Sequence, residues 1–291
     1  MRLLTLHITE ELAGRKVGHL LRGELGLSYS LVKSLKWREN AILLNGEKVN
    51  TDVRVKTGDV LTVNVTDREE GTAVDETVPL PQVLWEDDDL LIINKSAGIT
   101  VHAAALTGNP VTVEKMVARY LGVGAFHPVN RLDRGVSGVM VVAKSGHAHA
   151  RTMALLHTKD FRREYRAICH GVPSPAAGEI DLPIGRDTTS AVKRKIDHKG
   201  QPYLTEYEVL AVCPEGALLR LRPLTGRTHQ LRLHMAAMGH PLLGDWLYGT
   251  EHPALPHRVA LHSYELWLTH PITGEKLHIT APMPQEMEQL L

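Results

Sequence analysis

The sequence predicts an α+β fold: a large mixed, mostly antiparallel sheet with flanking helices, preceded by a small N-terminal α/β unit. Three observations carry this expectation. Strand-length apolar and alternating runs recur through the last two hundred residues. Helical periods are interspersed among them without regular βα alternation. An acidic stretch at 67–89, containing Pro79 and Pro81, sets this region apart from a short leading segment.

Residues 14–26 place Val17, Leu20, Leu21 and Leu25 near a 3.6-residue period, which predicts a short amphipathic helix. A second helix is expected over 28–39, with Ser28 as its cap and Leu31, Val32 and Leu35 as its apolar stripe. Ile42, Leu43 and Leu44, the Asn45-Gly46 turn, then Lys48 and Val49 read as a tight hairpin. A Gly58-Asp59 turn leads into an alternating strand from Val60 to Val65. These elements make one compact module over 1–66, and 67–89 reads as a partly disordered linker. The second domain is expected over 90–291. Its runs Leu90 to Ile93 and Val139 to Ala143 read as buried strands. Leu204 to Cys213 and Leu218 to Pro223 alternate, with Arg220 and Arg222 opposite Leu219 and Leu221. Helices are expected at 112–121, 146–158 and 228–238.

Composition narrows the class. With 43% hydrophobic and 23% charged residues over 291 positions, the chain matches a soluble globular protein of two domains. No apolar run approaches the roughly 20 residues of a membrane span, and the start has acids where a signal peptide needs an apolar stretch. Cys169 and Cys213 have no Cys-x-x-Cys spacing, which fits small buried residues in a reducing cytosol. The net charge is zero but unevenly spread. Basic and acidic residues number ten and seven over 1–66, one and nine over 67–89, and 22 and 17 over 90–291. Two mildly basic lobes flank an acidic connector, so a polyanionic partner is allowed without being required.

Seventeen histidines raise a metal reading. His147 and His149 diverge on the expected helix, and His229 and His234 miss the i, i+4 spacing of a helical pair, so no metal is expected. Ser137 lacks the nucleophile-elbow spacing of a hydrolase. The run Asn130 to Gly138 is more informative: Asp133 stands between Arg131 and Arg134, before turn residues and an apolar strand. Positive neighbours would hold that carboxylate ionised, although taken alone the run also reads as a surface turn laced with salt bridges. In the run Leu224 to His234, a Gly turn at a helix start is followed by polar residues at several successive positions. A purely core-facing helix would not tolerate them.

Together these runs resemble the RluA-type family of RNA pseudouridine synthases. Asn94 to Gly98 with Val101 and His102 is similar to its first motif, and Asn130 to Gly138 to its catalytic loop. Arg163 to Ala167 resembles its Tyr-containing strand, and Gly226 to Arg232 its third motif. Gly239 to Asp245, then Leu261 to Pro282, continue the order. The likeness spans about residues 80–285, and residues 10–66 are similar to an S4 RNA-binding module. Asn130, Val136 and Ser96 stand where the family usually has His, Thr and Pro.

The resemblance implies the pseudouridine synthase fold and isomerisation of uridine to pseudouridine in RNA, without cofactor or metal. It implies Asp133 as the essential carboxylate, attacking C1′ or assisting glycosidic cleavage, and Arg232 as its partner. Tyr165 would stack near the uracil and is a candidate to move the ring proton. Arg131 is a candidate for bracing the site vacated by a flipped base, or equally for a phosphate contact. Lys33, Lys36 and Arg38 are expected to meet RNA phosphates. Aromatics are only 4% of residues, which disfavours a stacking platform and favours structured RNA read by shape and backbone. Large-subunit ribosomal RNA is the implied substrate, with tRNA open, for a cytoplasmic monomer. A non-catalytic RNA-binding or ribosome-assembly factor on the same scaffold is the alternative, and an intact Asp133, Tyr165 and Arg232 count against it.

Overall fold

Alternation such as Leu219-Arg220-Leu221-Arg222 needs a sheet whose one face is covered. The computed structural model, which describes residues 2–66, 74–103, 111–122, 125–156, 158–190, 192–200 and 202–291, supplies it. Leu219 and Leu221 are buried, while Arg220 pairs with Glu208 and Arg222 with Glu164. The large sheet has ten strands. Its order is Ala177–Asp181, Leu204–Cys213, Gly216–Pro223, Phe161–His170, Leu261–Thr269, Ser137–Ala143, Leu90–Lys95 and Gln82–Glu86. Lys276–Thr280 also pairs with Leu261–Thr269, and His127–Pro128 with Ser137–Ala143. Pairing is antiparallel except between Ser137–Ala143 and Leu261–Thr269, which run parallel.

The continuous apolar runs have their reason in this order. Leu91, Ile93, Met140 and Val142 enter one core cluster, and Leu90, Ile92, Val139 and Val141 enter another. Central strands covered on both faces cannot alternate with polar residues. Cys169 and Cys213 are free and buried, as small core residues.

Residues 3–64 build a four-stranded antiparallel sheet in the order Leu3–His7, Val60–Asn64, Ile42–Leu44 and Glu47–Lys48. Its two helices, Val17–Gly23 and Tyr29–Leu35, bury Val17, Leu20, Leu21, Val32 and Leu35 against Leu61 and Val63. The Ser28 hydroxyl accepts the Leu31 N–H at 3.2 Å, as its capping position requires. Asn45 and Gly46 take φ of 54° and 84°, the left-handed pair a two-residue hairpin turn needs. Both helices are shorter than their apolar periods suggest: left-handed Gly14 and Gly26 bracket the first, and a turn at 36–37 ends the second.

Two expectations need correction. The segment 67–89 is not a linker throughout: Gln82–Glu86 is a strand paired with Leu90–Lys95, and Val78 is buried with its carbonyl accepting from Arg119. Residues 67–73 lie outside the described residues. The acids at 86–89 counted as solvated connector, yet Asp89 is buried and both its carboxylate oxygens accept from Arg2, at 2.8 and 2.7 Å. The helix expected over 146–158 spans Gly146–Met153, since Ala154 to Leu156 turn away.

The Arg2 pair fastens the small unit to the large sheet, and Arg151, whose guanidinium packs on Gly26, adds a second contact. Burial pushes the Asp89 carboxyl above its ordinary range, and Arg2 is the first group to oppose that. Arg2→Ala should therefore lower stability by about 1–3 kcal/mol, the cost of leaving a buried acceptor unpartnered. Asp89→Asn in the same background should restore most of it in urea denaturation. An unchanged midpoint for Arg2→Ala would show that the pair does not hold the units together.

Candidate active site

The run Asn130 to Val136 forms the loop that enters the fully buried strand Ser137–Ala143. Main-chain contacts hold it. Lys95, at the end of Leu90–Lys95, sends its buried ammonium into four carbonyl groups: Ser96 at 2.9 Å, Asp133 at 3.2 Å, Arg134 at 3.5 Å and Val136 at 2.8 Å. Burial pushes this ammonium down to about 7, against the pull of the Asp133 carboxylate. The Gly98 N–H donates to the Arg134 carbonyl at 2.7 Å, and Arg134 Nε returns a bond to Gly98 at 3.2 Å. Asn130 is buried, and its Oδ1 accepts the Val141 N–H at 2.7 Å, so the residue that replaces His ties the loop to the following strand. Val136, the replacement for Thr, packs into the core. Gly138, at φ 111°, has the Ser263 main chain where a Cβ would stand, which lets the two parallel strands close.

The second informative run supplies the helix Gln230–Ala237, whose first six residues are all buried. Its polar residues are tolerated because each is satisfied. Gln230 Nε2 donates to the Leu204 carbonyl and to Thr205, both at 3.0 Å. His234 uses both ring nitrogens, on Thr205 at 3.0 Å and the Leu182 carbonyl at 3.1 Å. Arg232 meets two carboxylates. Its Nε and one terminal nitrogen fork onto Asp245 at 2.8 and 2.7 Å, and the other terminal nitrogen reaches Asp133 Oδ2 at 3.1 Å. Burial opposes the guanidinium charge, and the Asp245 bonds, followed by Asp133, outweigh it and raise its pKa.

Asp245 belongs to this constellation although the sequence reading left it out of the site. It is fully buried and also accepts the N–H groups of Leu247 and Tyr248. Asp133 keeps 25% of its side chain exposed. Of the two acids on Arg232, only Asp133 is within reach of another molecule.

His229 is the second residue passed over. It starts the helix at φ 61°, and its Nε2 lies 3.7 Å from Asp133 Oδ2. The Arg194 N–H donates to the Tyr248 hydroxyl at 2.8 Å, and that hydroxyl is hydrogen-bonded to His229 Nδ1 at 2.8 Å, which fixes the ring with Nε2 facing Asp133. Burial holds His229 below the ordinary imidazole range, with Asp133 pulling the other way and Arg232 adding to the burial.

Tyr165 lies on Phe161–His170 in the same core cluster as Leu132, Val136 and Leu231, and its hydroxyl has no hydrogen-bond partner among the described residues. Arg131 is exposed beside Asp133. Lys33, Lys36 and Arg38 lie in the other unit, the lysines exposed and Arg38 half-buried.

Other chemistries fare less well. Ser137 and His262 are hydrogen-bonded at 2.8 Å but buried, and Arg258 donates to the same hydroxyl at 2.7 Å. Ser137 must then give its proton to His262 Nδ1, which suits a brace and not an exposed nucleophile. Asp87, Asp89 and His270 present ligand atoms within 4.8 Å of one another. That donor set does not suit a metal: Arg2 covers Asp89, and His270 Nδ1 accepts the Thr273 N–H at 3.0 Å, so Nε2 carries the proton and faces Asp87.

Comparison with known proteins shows the family. A family model described as RNA pseudouridylate synthase matches residues 89–237. The chain is 35% identical over 273 residues, covering 92% of it and 96% of the relative, to an "Uncharacterized RNA pseudouridine synthase YjbO" of Bacillus subtilis (strain 168). It is 34% identical to the "Ribosomal large subunit pseudouridine synthase D" of Escherichia coli (strain K12), covering 99% of the chain and 93% of the relative. Among solved structures it is similar to human RNA Pseudouridylate Synthase Domain Containing 1. The TM-score there is 0.58 at 26% identity, over 69% of this chain and 83% of that one.

Two stability effects follow from the shared guanidinium and the buried brace. Asp245→Ala should cost about 3–5 kcal/mol, because it strands a buried charge. Asp133→Asn should cost under about 1 kcal/mol, since Arg232 keeps its fork and the amide oxygen can still accept. Equal losses in urea denaturation would mean that Asp245 is not the anchor. Burial, with Arg258 adding to it, pushes His262 down to about 4 from 6.5, and burial does the same to His147. Between those values the unfolded chain binds more protons than the folded one, so stability should fall as pH drops from 6.5 to 4. His262→Gln should flatten part of that slope, since His147, His229 and His234 are also held below the ordinary range; an unaltered slope would place the acid sensitivity elsewhere.

Proposed function

The chain belongs to the RNA pseudouridylate synthase family and is an enzyme that isomerises uridine to pseudouridine in RNA, and we propose that the Asp133 carboxylate drives that isomerisation. The reaction breaks the bond from uracil N1 to ribose C1′, turns the ring, and rejoins it through C5, so it needs an ionised carboxylate beside C1′ and a route for the C5 proton. One observation carries the reading: Arg232 holds two carboxylates, and the accessible one is Asp133. The guanidinium, itself anchored on Asp245, fixes where the acid points, so little reorganisation is left for the moment of reaction. The free Tyr165 hydroxyl supports a role against the uracil, in stacking and in moving the ring proton. Arg131, exposed beside the acid, is suited to bracing the RNA once the uridine leaves its stack.

The substrate is large-subunit ribosomal RNA on this reading, supported by relatives of that name covering nearly the whole chain. Residues 1–66 act as an S4-like RNA-binding module, and the exposed Lys33 and Lys36, with Arg38, meet the phosphate backbone. Because Arg2 ties this unit to Asp89, its removal would orphan a buried carboxylate as well as weaken RNA binding.

The test is tritium release from carbon-5-labelled uridine under single-turnover conditions, on RNA identified by mapping pseudouridine in a deletion strain. Asp133→Asn should abolish release while leaving RNA affinity within a few-fold of the parent. Release by Asp133→Asn without deamidation back to Asp would move the chemistry to another residue, and loss of a tRNA site alone would replace the ribosomal assignment.

A further inference from the structure

We propose that the helix Tyr29–Leu35 and the turn after it form an RNA-docking face on which Trp37 stacks against an unpaired base while Lys33 and Lys36 meet the adjoining phosphates, with Tyr29 about 12 Å along the axis as a second stacking surface. This rests on the small unit being RNA-facing, and it adds the class of RNA the unit takes: a structured RNA with at least one unstacked nucleotide.

Helical geometry gathers these side chains. At 100° per residue, positions 29, 33, 36 and 37 fall within about 100° of arc. The turn past the helix stays helical enough to carry the last of them, with the Trp37 N–H on the Ser34 carbonyl at 3.2 Å and the Arg38 N–H on Leu35 at 3.1 Å. Val32, at the edge of this arc, and Leu35, beyond it, are buried in the core. Tyr29 is 73% exposed and Trp37 82%, whereas the other tryptophans, Trp85, Trp246 and Trp267, are half-buried. Two large rings are thus left uncovered by the chain on one face of one short helix.

The charges between the rings select the occupant. Lys33 and Lys36 make no ion pair among the described residues, while Arg15 nearby is matched to Glu24 at 2.8 Å. Glu39 lies beyond the turn, where Asn40 at φ 52° redirects the chain. An apolar protein surface laid on Tyr29 and Trp37 would strip water from both ammonium groups without replacing it. A nucleotide supplies both requirements at once, a π-face for the rings and phosphates for the lysines. The low aromatic content of the chain disfavours a platform that lines a sheet with many rings. Stacking needs only one or two well-placed rings, which a composition average conceals.

The experiment measures binding of the full chain, by fluorescence anisotropy, to an RNA hairpin with a fully paired stem and to the same hairpin with one bulged nucleotide, across a range of salt. Trp37→Ala should weaken the bulged hairpin about tenfold and leave the paired one within about twofold, with no change in salt slope. Trp37→Phe should recover most of the loss. The double variant Lys33→Ala with Lys36→Ala should lower the log–log salt slope by about one to two for both RNAs. If the lysine variant lowers the slope but Trp37→Ala leaves the bulged hairpin unaffected, the stacking proposal is overturned and the RNA-facing reading stands. If neither variant changes RNA binding, both fall, and the face belongs to a protein partner. These side chains are exposed, so loss of folding does not confuse the outcome.

Discussion

A buried guanidinium cannot stand alone in a protein core, and the large domain is arranged around that constraint at Arg232. Desolvating one positive charge is repaid only by close carboxylates with further hydrogen bonds on them. Asp245 answers this with a forked pair and two main-chain N–H groups of its own. The rings of Trp246 and Tyr248, both 5.5 Å from the guanidinium carbon, complete the enclosure. Only after that anchoring is one N–H free to meet Asp133. The two carboxylates are therefore not equivalent: one is structural, buried and fully engaged, and the other is kept available.

The loop carrying Asp133 is positioned with equal economy of contact. Lys95 and Gly98 act on its carbonyl groups, and the Asn130 and Arg134 side chains add bonds to the Val141 N–H and the Gly98 carbonyl. A loop fixed largely through main-chain atoms tolerates change at its remaining side chains. Asn130 and Val136, which replace the residues usual in the family, both fit this arrangement: the first ties the loop to Val141, and the second packs into the core.

Much of this was legible in the sequence. Period-two alternation over 204–213 and 218–223 located the two strands there, continuous apolar runs located the central strands, and Ser28 and Asn45-Gly46 marked a cap and a hairpin turn. The order of motifs brought Asp133 and Arg232 together across 99 positions. What escaped were properties that depend on who lies across a gap. Asp245 reads as one more acid until Arg232 folds onto it, and Asp89 reads as part of an acidic connector until Arg2 arrives. His229 escaped because its orientation beside Asp133 rests on Tyr248, which hydrogen-bonds its other ring nitrogen and itself accepts the Arg194 N–H. No local pattern encodes such a chain.

The same cross-domain pairing bears on how a uridine is chosen. If the small unit hung from a loose tether, its grip on RNA would raise the local concentration of substrate without saying which uridine reaches Asp133. Arg2 on Asp89, with Arg151 against Gly26, removes that freedom and makes the spacing between the helix Tyr29–Leu35 and the catalytic loop a property of the fold. On the proposed reading, an RNA seated on Lys33 and Lys36 then offers Asp133 only nucleotides at one distance and orientation. Selection of the uridine becomes geometric, and base-specific contacts at the active site need contribute only to the chemistry that every uridine shares.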